Sequence, residues 1–437
     1  MNASELIKNK FLKFGINKLR EVERLLNEIS KVEKLSIEKL LNEDFGRNYE
    51  NVKKNLLARR YPKNFNKVPL STFYFPQYSL DESLAVDTTY KKFNPKNVYY
   101  ESLAANYELL SKVKKTFPNS NFIEIDSLKN FMKTKNYSIA DYNKRQDNLF
   151  IVYEKYSFFK KCPCSSHTIN CGYHIMNLGM GCLYECSYCF LQGYQNVSGI
   201  IWPCNIKDYL CAEKITASTS SLFNYKRVGS GEWTDSLIFD DITGFSKPII
   251  EFFKDNKDIT FEFKTKSVNI KNLLSCGGCQ NITAAWSVNA IKIQKENEFK
   301  TSEIIERLNA AKLCAQAGFN VAFHFDPIIL FDGCENAYKE IVDMIFDIVP
   351  NFAIKWISLG TLRMPAILKS VIENRFPQSD ILNAELLLGK DYKLRYDSES
   401  RVEIYKYMTK IINAKKSKTK IYLCMESSNV WKKCNLI

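Results

Sequence analysis

The sequence has no apolar run of the ~18 residues needed to cross a bilayer, which excludes a transmembrane helix. Its N-terminus, Met1–Arg20, alternates apolar and charged side chains. It lacks the apolar stretch and cleavage site of a signal peptide, so a cytoplasmic protein with no membrane partner is expected. Neither an internal repeat nor a long low-complexity tract is present. Histidine is scarce, with 3 in 437 residues against 14 cysteines.

The rest is ordinary globular material. Hydrophobic residues make up 45% and aromatics 13%, ample for a core. The length suits about two to four domains, although one α/β barrel alone takes ~250 residues. Fourteen cysteines in a long chain without a leader point to metal or redox chemistry rather than a disulfide frame. The net charge is +14, and residues 1–70, with 16 Lys and Arg against 9 Asp and Glu, supply half of it. The remainder is therefore only mildly basic for its size.

In residues 1–70 Leu6, Ile7, Phe11, Phe14, Leu19, Val22, Leu25, Leu26 and Ile29 recur at three- and four-residue spacing, which predicts helices. They form either a basic cap with a solvated face or a nucleic-acid arm. The stretch Tyr61 to Tyr78, rich in proline and aromatics, reads as a connector. Residues 95–127 read as strand, helix, strand: Asn97–Tyr100, Ala104–Lys115 and Phe122–Ile125. Further on, strand candidates (Ser236–Phe239, Ile259–Phe263, Thr283–Val288, Asn320–Phe325, Trp356–Leu359, Lys420–Cys424) alternate with helix candidates (Pro248–Asn256, Ser302–Ala317, Ala337–Ile348, Ser400–Asn413). Such alternation implies parallel strands with right-handed crossovers, an open or partial barrel, and functional residues at the C-terminal strand ends. The expected organisation is a basic, mainly helical extension over 1–90, a small α/β segment over 91–160 and the barrel with substrate-side elements over 161–437.

The decisive motif is Gly181-Cys-Leu-Tyr-Glu-Cys-Ser-Tyr-Cys-Phe190, with spacing C-x3-C-x2-C. Three thiols this close cannot all pair as disulfides. Cys182, Cys186 and Cys189 can each hold one iron of a [4Fe–4S] cube, leaving the fourth iron open. Tetrahedral zinc would want a fourth ligand, and no Cys or His follows at finger spacing before Cys204.

This loop resembles that of the radical S-adenosylmethionine (SAM) superfamily, and with Leu191-Gln192 it resembles the spore photoproduct lyase family. Asp235-Ser-Leu-Ile-Phe-Asp, Phe263-Lys-Thr-Lys-Ser-Val-Asn, Trp286-Ser-Val-Asn, Ala322-Phe-His-Phe-Asp-Pro-Ile, Ser358-Leu-Gly-Thr-Leu-Arg and Arg375-Phe-Pro follow in the same order. The resemblance covers roughly residues 160–430, more weakly 95–127, and leaves out 1–90. It implies an α/β fold, a partial (β/α)6 TIM-like barrel, with the [4Fe–4S] cluster at its mouth. SAM would bind the open iron and be cleaved reductively to methionine and a 5′-deoxyadenosyl radical, held close to one target hydrogen. It also implies an electron donor such as flavodoxin or ferredoxin, and a nucleic-acid lesion as substrate.

Candidate SAM contacts are Glu232, in a Gly-Ser-Gly-Glu turn resembling the Gly-Gly-Glu element of such enzymes, and Lys266 after a strand. Ser287, Thr234 and Tyr188 join them, with Asp235 beside Thr234. Each has an ordinary alternative: a solvated turn carboxylate, a solvated lysine, a backbone-bonded hydroxyl or a structural aromatic. On the substrate side stand His324, otherwise a satisfied core histidine, and Arg363, otherwise a structural salt bridge. Lys390, Lys393, Arg395 and Tyr396 form a basic-aromatic group suited to phosphate or to plain solvation.

Two departures matter. Photoproduct lyases carry a hydrogen-donor cysteine where Glu232 aligns, and a relay tyrosine where Phe190 stands. A carboxylate is a poor hydrogen-atom donor and phenylalanine has no phenolic O–H. Of the other cysteines, Cys162, Cys164 and Cys171 suggest an auxiliary metal whose fourth ligand is not obvious, His167 or His174 being options. Cys276 and Cys279 have redox-dithiol spacing. Cys204, Cys211, Cys314, Cys334, Cys424 and Cys434 read as incidental thiols. Rival readings are a redox-sensing Fe–S nucleic-acid-binding protein, a modification enzyme for RNA, protein or a small metabolite, and a zinc-bound interaction module.

Overall fold

The computed structural model describes residues 3–133, 136–155, 158–165, 167–210, 220 and 222–437. Cys211 lies outside the described residues. The chain divides into two compact units, residues 1–85 with 362–401 and residues 86–361 with 402–437.

The first unit is built on the helical periodicity. In the helix Ile16–Glu33, Val22, Leu25, Leu26 and Ile29 fall on one face and are buried. They pack with Ile7, Leu40, Val52, Leu56 and Leu57 from the neighbouring helices Ala3–Lys10, Ile37–Leu41 and Tyr49–Arg60, and with Phe11 in the turn after the first of these. Lys34 ends the long helix in the left-handed region, at φ 57°. Tyr61 and Phe73, from the expected connector, are buried in this same core. At its centre the Glu28 carboxylate meets Arg24, Arg60 and Lys369 at 2.6, 2.8 and 2.7 Å. The sheet of Arg363–Pro365, Lys393–Arg395 and Leu387–Leu388 is antiparallel and sets Arg363 opposite Arg395.

The second unit is α/β. A four-stranded parallel sheet runs in the order Asn121–Ile125, Asn97–Glu101, Asn148–Val152, Ile200–Pro203. The expected strand-helix-strand piece is its start, with the helix at Glu108–Thr116. The larger sheet is a curled half-barrel of parallel strands: β1 (Tyr173–Met176), β2 (Lys226–Gly229), β3 (Ile259–Thr265), β4 (Ile282–Ser287), β5 (Asn320–Ile328), β6 (Ile354–Thr361) and β7 (Lys420–Leu423). They neighbour one another in chain order, β1 and β7 lying at opposite ends of the parallel series, and the short strand Phe159–Lys161 pairs antiparallel with β1. Helices Ser246–Lys254, Ile304–Gln316 and Cys334–Ile348 lie between strands in sequence, as the alternation suggested. The implied partial barrel is therefore the observed fold.

One expected strand is not a strand. Ser236–Phe239 folds as a turn because the Asp235 carboxylate accepts the amides of Leu237 and Ile238, both at 3.0 Å. The apolar run there is buried by a turn, and β1 and β2 take the first places in the sheet. No described helix is long and apolar enough to cross a membrane.

Candidate active site

The cysteine loop leaves β1 and is held by groups the sequence gave no reason to select. Arg145 donates from Nε to the Cys182 carbonyl and from Nη2 to the Tyr184 carbonyl, each at 3.0 Å. Its Nη1 lies 2.9 Å from Glu185, and both side chains are at most 2% exposed. Gln146 Nε2 donates to the Leu183 carbonyl at 3.0 Å. On the far side, Ser187 is bonded through N and Oγ to Asn297, at 2.9 and 2.7 Å. The pair Glu185–Cys186 also forms a short antiparallel ladder with Glu298–Phe299.

Three barrel elements close on this loop. The Gly181 amide donates to the Trp233 carbonyl at 2.8 Å, seating the turn that carries Glu232 and Thr234 against the start of the motif. Gly231 in that turn has φ +105°, a conformation that favours glycine. At the end of β3, Lys266 places its ammonium 5.6 Å from the centre of the Tyr188 ring. The Tyr188 hydroxyl donates to Glu298, which pairs with Arg307 at 2.7 Å. Arg307 in turn donates to the Ser287 carbonyl at the end of β4, at 2.8 Å. Tyr188, Lys266 and Ser287 are thus joined through Glu298 and Arg307, two residues the sequence reading missed.

The electrostatics suit anionic ligands. Burial would lower the Lys266 pKa, but Glu298 and Cys186 outweigh it and hold the ammonium above its ordinary value. Burial, with Asp235 next, pushes the Cys182 thiol up to about 12, and burial raises Cys186 as well. The Tyr184 amide already donates to Cys182 Sγ at 3.4 Å. Among the described residues no three His, Cys, Asp or Glu side chains are arranged around a single metal ion. A cube asks for something different, because each thiolate takes a separate iron. The amide-to-sulfur bond, the adjacent ammonium and the rigid loop fit such a cluster.

Other candidates are placed differently. Glu232 lies 2.6 Å from Lys160. The Asp235 carboxylate is taken up by Leu237, Ile238, Thr265 and Lys266 of its own chain. His324 is buried on β5 with both ring nitrogens engaged, Nε2 at 2.5 Å from Glu262 and Nδ1 at 2.5 Å from Ser358 Oγ. Burial lowers the His324 pKa from its ordinary value, and the pull of Glu262 offsets only part of that. Glu262 is itself lowered to about 2: burial raises it, and His324 and Arg227 more than reverse that. Arg363 belongs to the other unit, beside Arg395, which pairs with Asp391 at 2.5 Å.

A pH prediction follows. Both His324 and Glu262 bind protons less readily folded than unfolded, so each contributes stability that is lost on acidification. The loss begins below the ordinary histidine value of 6.5 and continues through the carboxylate range from 4.5 toward 2. Thermal melts should therefore fall from pH 7 to pH 5, and His324→Gln should flatten that slope. An unchanged slope would contradict the lowered His324 value.

The profile of the spore photoproduct lyase family matches residues 93–429. The chain belongs to this family. The spore photoproduct lyase of Bacillus subtilis (strain 168) is 24% identical over 301 residues, covering 66% of this chain and 84% of that protein. That of Clostridium acetobutylicum is 22% identical over 342 residues, covering 73% and 95%. A solved spore photoproduct lyase complexed with dinucleoside spore photoproduct superposes with a TM-score of 0.61 at 22% identity, over 76% of this chain and 100% of its own. A variant with bound AdoMet and the same dinucleoside gives 0.60 at 21% identity, over 77% and 100%. The family is one of radical SAM enzymes, and the half-barrel described above is its fold.

Proposed function

We propose that this chain uses a [4Fe–4S] cluster on Cys182, Cys186 and Cys189 to cleave SAM and to abstract hydrogen from a nucleic-acid lesion. The observation that carries the reading is the bond from Gly181 to Trp233, which joins the Glu232 turn to the thiol loop. Held on these thiolates, a cluster would supply the electron for reductive cleavage of bound SAM. The chain's own residues do the holding. Glu232 would accept from the SAM ammonium, Lys266 and the Ser287 hydroxyl would hold its carboxylate and ribose, Thr234 would support the turn, and Tyr188 would pack beside the adenine. The substrate class rests on family membership and on the dinucleoside held by the solved relatives. An electron donor of the flavodoxin or ferredoxin type completes the proposal. His324, whose ring is already bonded, acts by positioning. Arg363 with Lys390, Lys393, Arg395 and Tyr396 is a candidate anion-contact surface of its own unit.

Glu232 and Phe190 stand where the resemblance implies a hydrogen-donor cysteine and a relay tyrosine. We infer that hydrogen returns to the product by another route. The test supplies a lesion dinucleotide deuterated at the target carbon and follows deuterium into 5′-deoxyadenosine. Transfer identifies the substrate class, whereas 5′-deoxyadenosine without deuterium assigns the radical to another target. Glu232→Gln removes one charge-assisted hydrogen bond worth about 1.5–3 kcal/mol, so the SAM Kd should rise about 10- to 150-fold while the iron content holds. An unchanged Kd would remove Glu232 from the SAM site.

A further inference from the structure

The thiol loop runs directly into a short helix, Leu191–Tyr194, whose two sides differ. On the inner side Leu191 and Gln192 are buried, and Gln192 Nε2 donates to the Ser187 carbonyl at 2.7 Å. Phe190 and Tyr194 are four residues apart, so they share the outer side of this turn. Phe190 is 37% exposed and Tyr194 51%. From residue 124 to residue 267 they are the only large hydrophobic side chains left exposed among the described residues.

A third ring joins them from the turn that carries Glu232. Trp233 is half-buried, with its ring 6.1 Å from that of Phe190 and 6.2 Å from that of Tyr194. The Phe190 and Tyr194 rings are 5.9 Å apart, and all three meet edge to face, the favoured geometry for aromatic pairs. Trp233 is held at both ends. Its carbonyl accepts the Gly181 amide, and the Lys160 ammonium lies 5.2 Å from the centre of its ring. Phe190 follows Cys189 and Trp233 follows Glu232, so this aromatic surface adjoins both the thiol triad and the candidate SAM carboxylate.

Single exposed apolar residues are ordinary, but a packed group of rings beside a reactive loop marks a contact surface. Its chemistry selects the occupant. A membrane or an amphipathic helix would want exposed aliphatic side chains, and over residues 124–267 none of the described ones is exposed. Rings that meet edge to face leave π-faces uncovered, and an unpaired nucleobase stacks on such a face whatever its sequence. Enzymes that act on a base must also take it out of the duplex stack, which leaves an unpaired base to be held.

We propose that Phe190, Tyr194 and Trp233 form a stacking platform for an unpaired nucleobase at the edge of the thiol loop. Tyr194, the most exposed of the three, presents the open face. Phe190 and Trp233 brace it, so the surface is ordered before the ligand arrives and little is lost in fixing it. All three are positioning residues: they hold the nucleotide strand and take no part in bond making. The choice of ligand rests on the nucleic-acid reading proposed above, whereas the arrangement of the rings does not.

The test uses the full chain without SAM or reductant, so neither cleavage nor hydrogen transfer enters the readout. It is titrated with a dye-labelled single-stranded oligothymidylate and with an oligomer of equal length whose sugars carry no bases. Anisotropy of the dye gives each Kd. Of the 5 tryptophans all but Trp233 are buried, so a change in tryptophan emission reports the platform. Oligothymidylate should bind more tightly than the baseless oligomer and should quench that emission. Tyr194→Ser should weaken oligothymidylate about 5- to 150-fold, the range for losing one stacked base, and leave the baseless oligomer unchanged. Tyr194→Phe keeps the ring and should keep the affinity, which separates stacking from misfolding. Trp233→Phe should remove the quenching. Equal binding of the two oligomers, or full affinity in Tyr194→Ser, would overturn the platform and leave the nucleic-acid reading standing. Failure of both oligomers to bind would overturn both.

Discussion

Cys182→Ala should lose the cluster and reduce 5′-deoxyadenosine formation to the level seen without enzyme. In the proposed cluster three thiolates would leave the fourth iron open for SAM, and the loop offers no replacement for a missing one. Cys182 starts the motif, and its sulfur already accepts the Tyr184 amide at 3.4 Å. Alanine removes a ligand and that acceptor from the loop. Iron and sulfide should fall together, with circular dichroism unchanged, since Arg145 and Asn297 hold the backbone independently of the sulfur. Full iron content and undiminished SAM cleavage would remove the triad from the mechanism.

Arg145→Met should cost about 3–5 kcal/mol, the range for breaking a buried ion pair by removing one partner. Arg145 and Glu185 are almost wholly enclosed, and Arg145 also serves two carbonyls of the thiol loop. Methionine fills much of the volume but leaves Glu185 without its guanidinium and both carbonyls without their donor. Lys300, 4.0 Å from Glu185, is too distant to replace it. Beyond the lower melting temperature, reconstituted iron should be released faster. Normal stability together with normal iron retention would show that the loop is held by other means.

The helices of residues 1–70 were legible because their apolar residues repeat at helical spacing, and Val22, Leu25, Leu26 and Ile29 are buried where the pattern put them. The barrel was legible because strand and helix patterns alternate, and the thiol triad because three cysteines with that spacing admit few alternatives. What escaped depends on distance in the sequence. Glu28 meets Lys369, and Arg24 meets Glu373, across more than three hundred residues, and no local pattern announces such pairs. Arg145, Glu298 and Arg307 belong to no local motif, and only the fold buries them. Ser236–Phe239 resembled a strand because its apolar run obscured the capping carboxylate just before it.

The most direct measurement is SAM cleavage by the reconstituted full chain. The protein is loaded with iron and sulfide without oxygen, reduced with dithionite and given SAM, and the mixture is assayed for 5′-deoxyadenosine and methionine. Both products, formed together and only with a loaded cluster, are the expected result. A chain that carries its full complement of iron and sulfide, binds SAM and yet releases no 5′-deoxyadenosine would contradict the account.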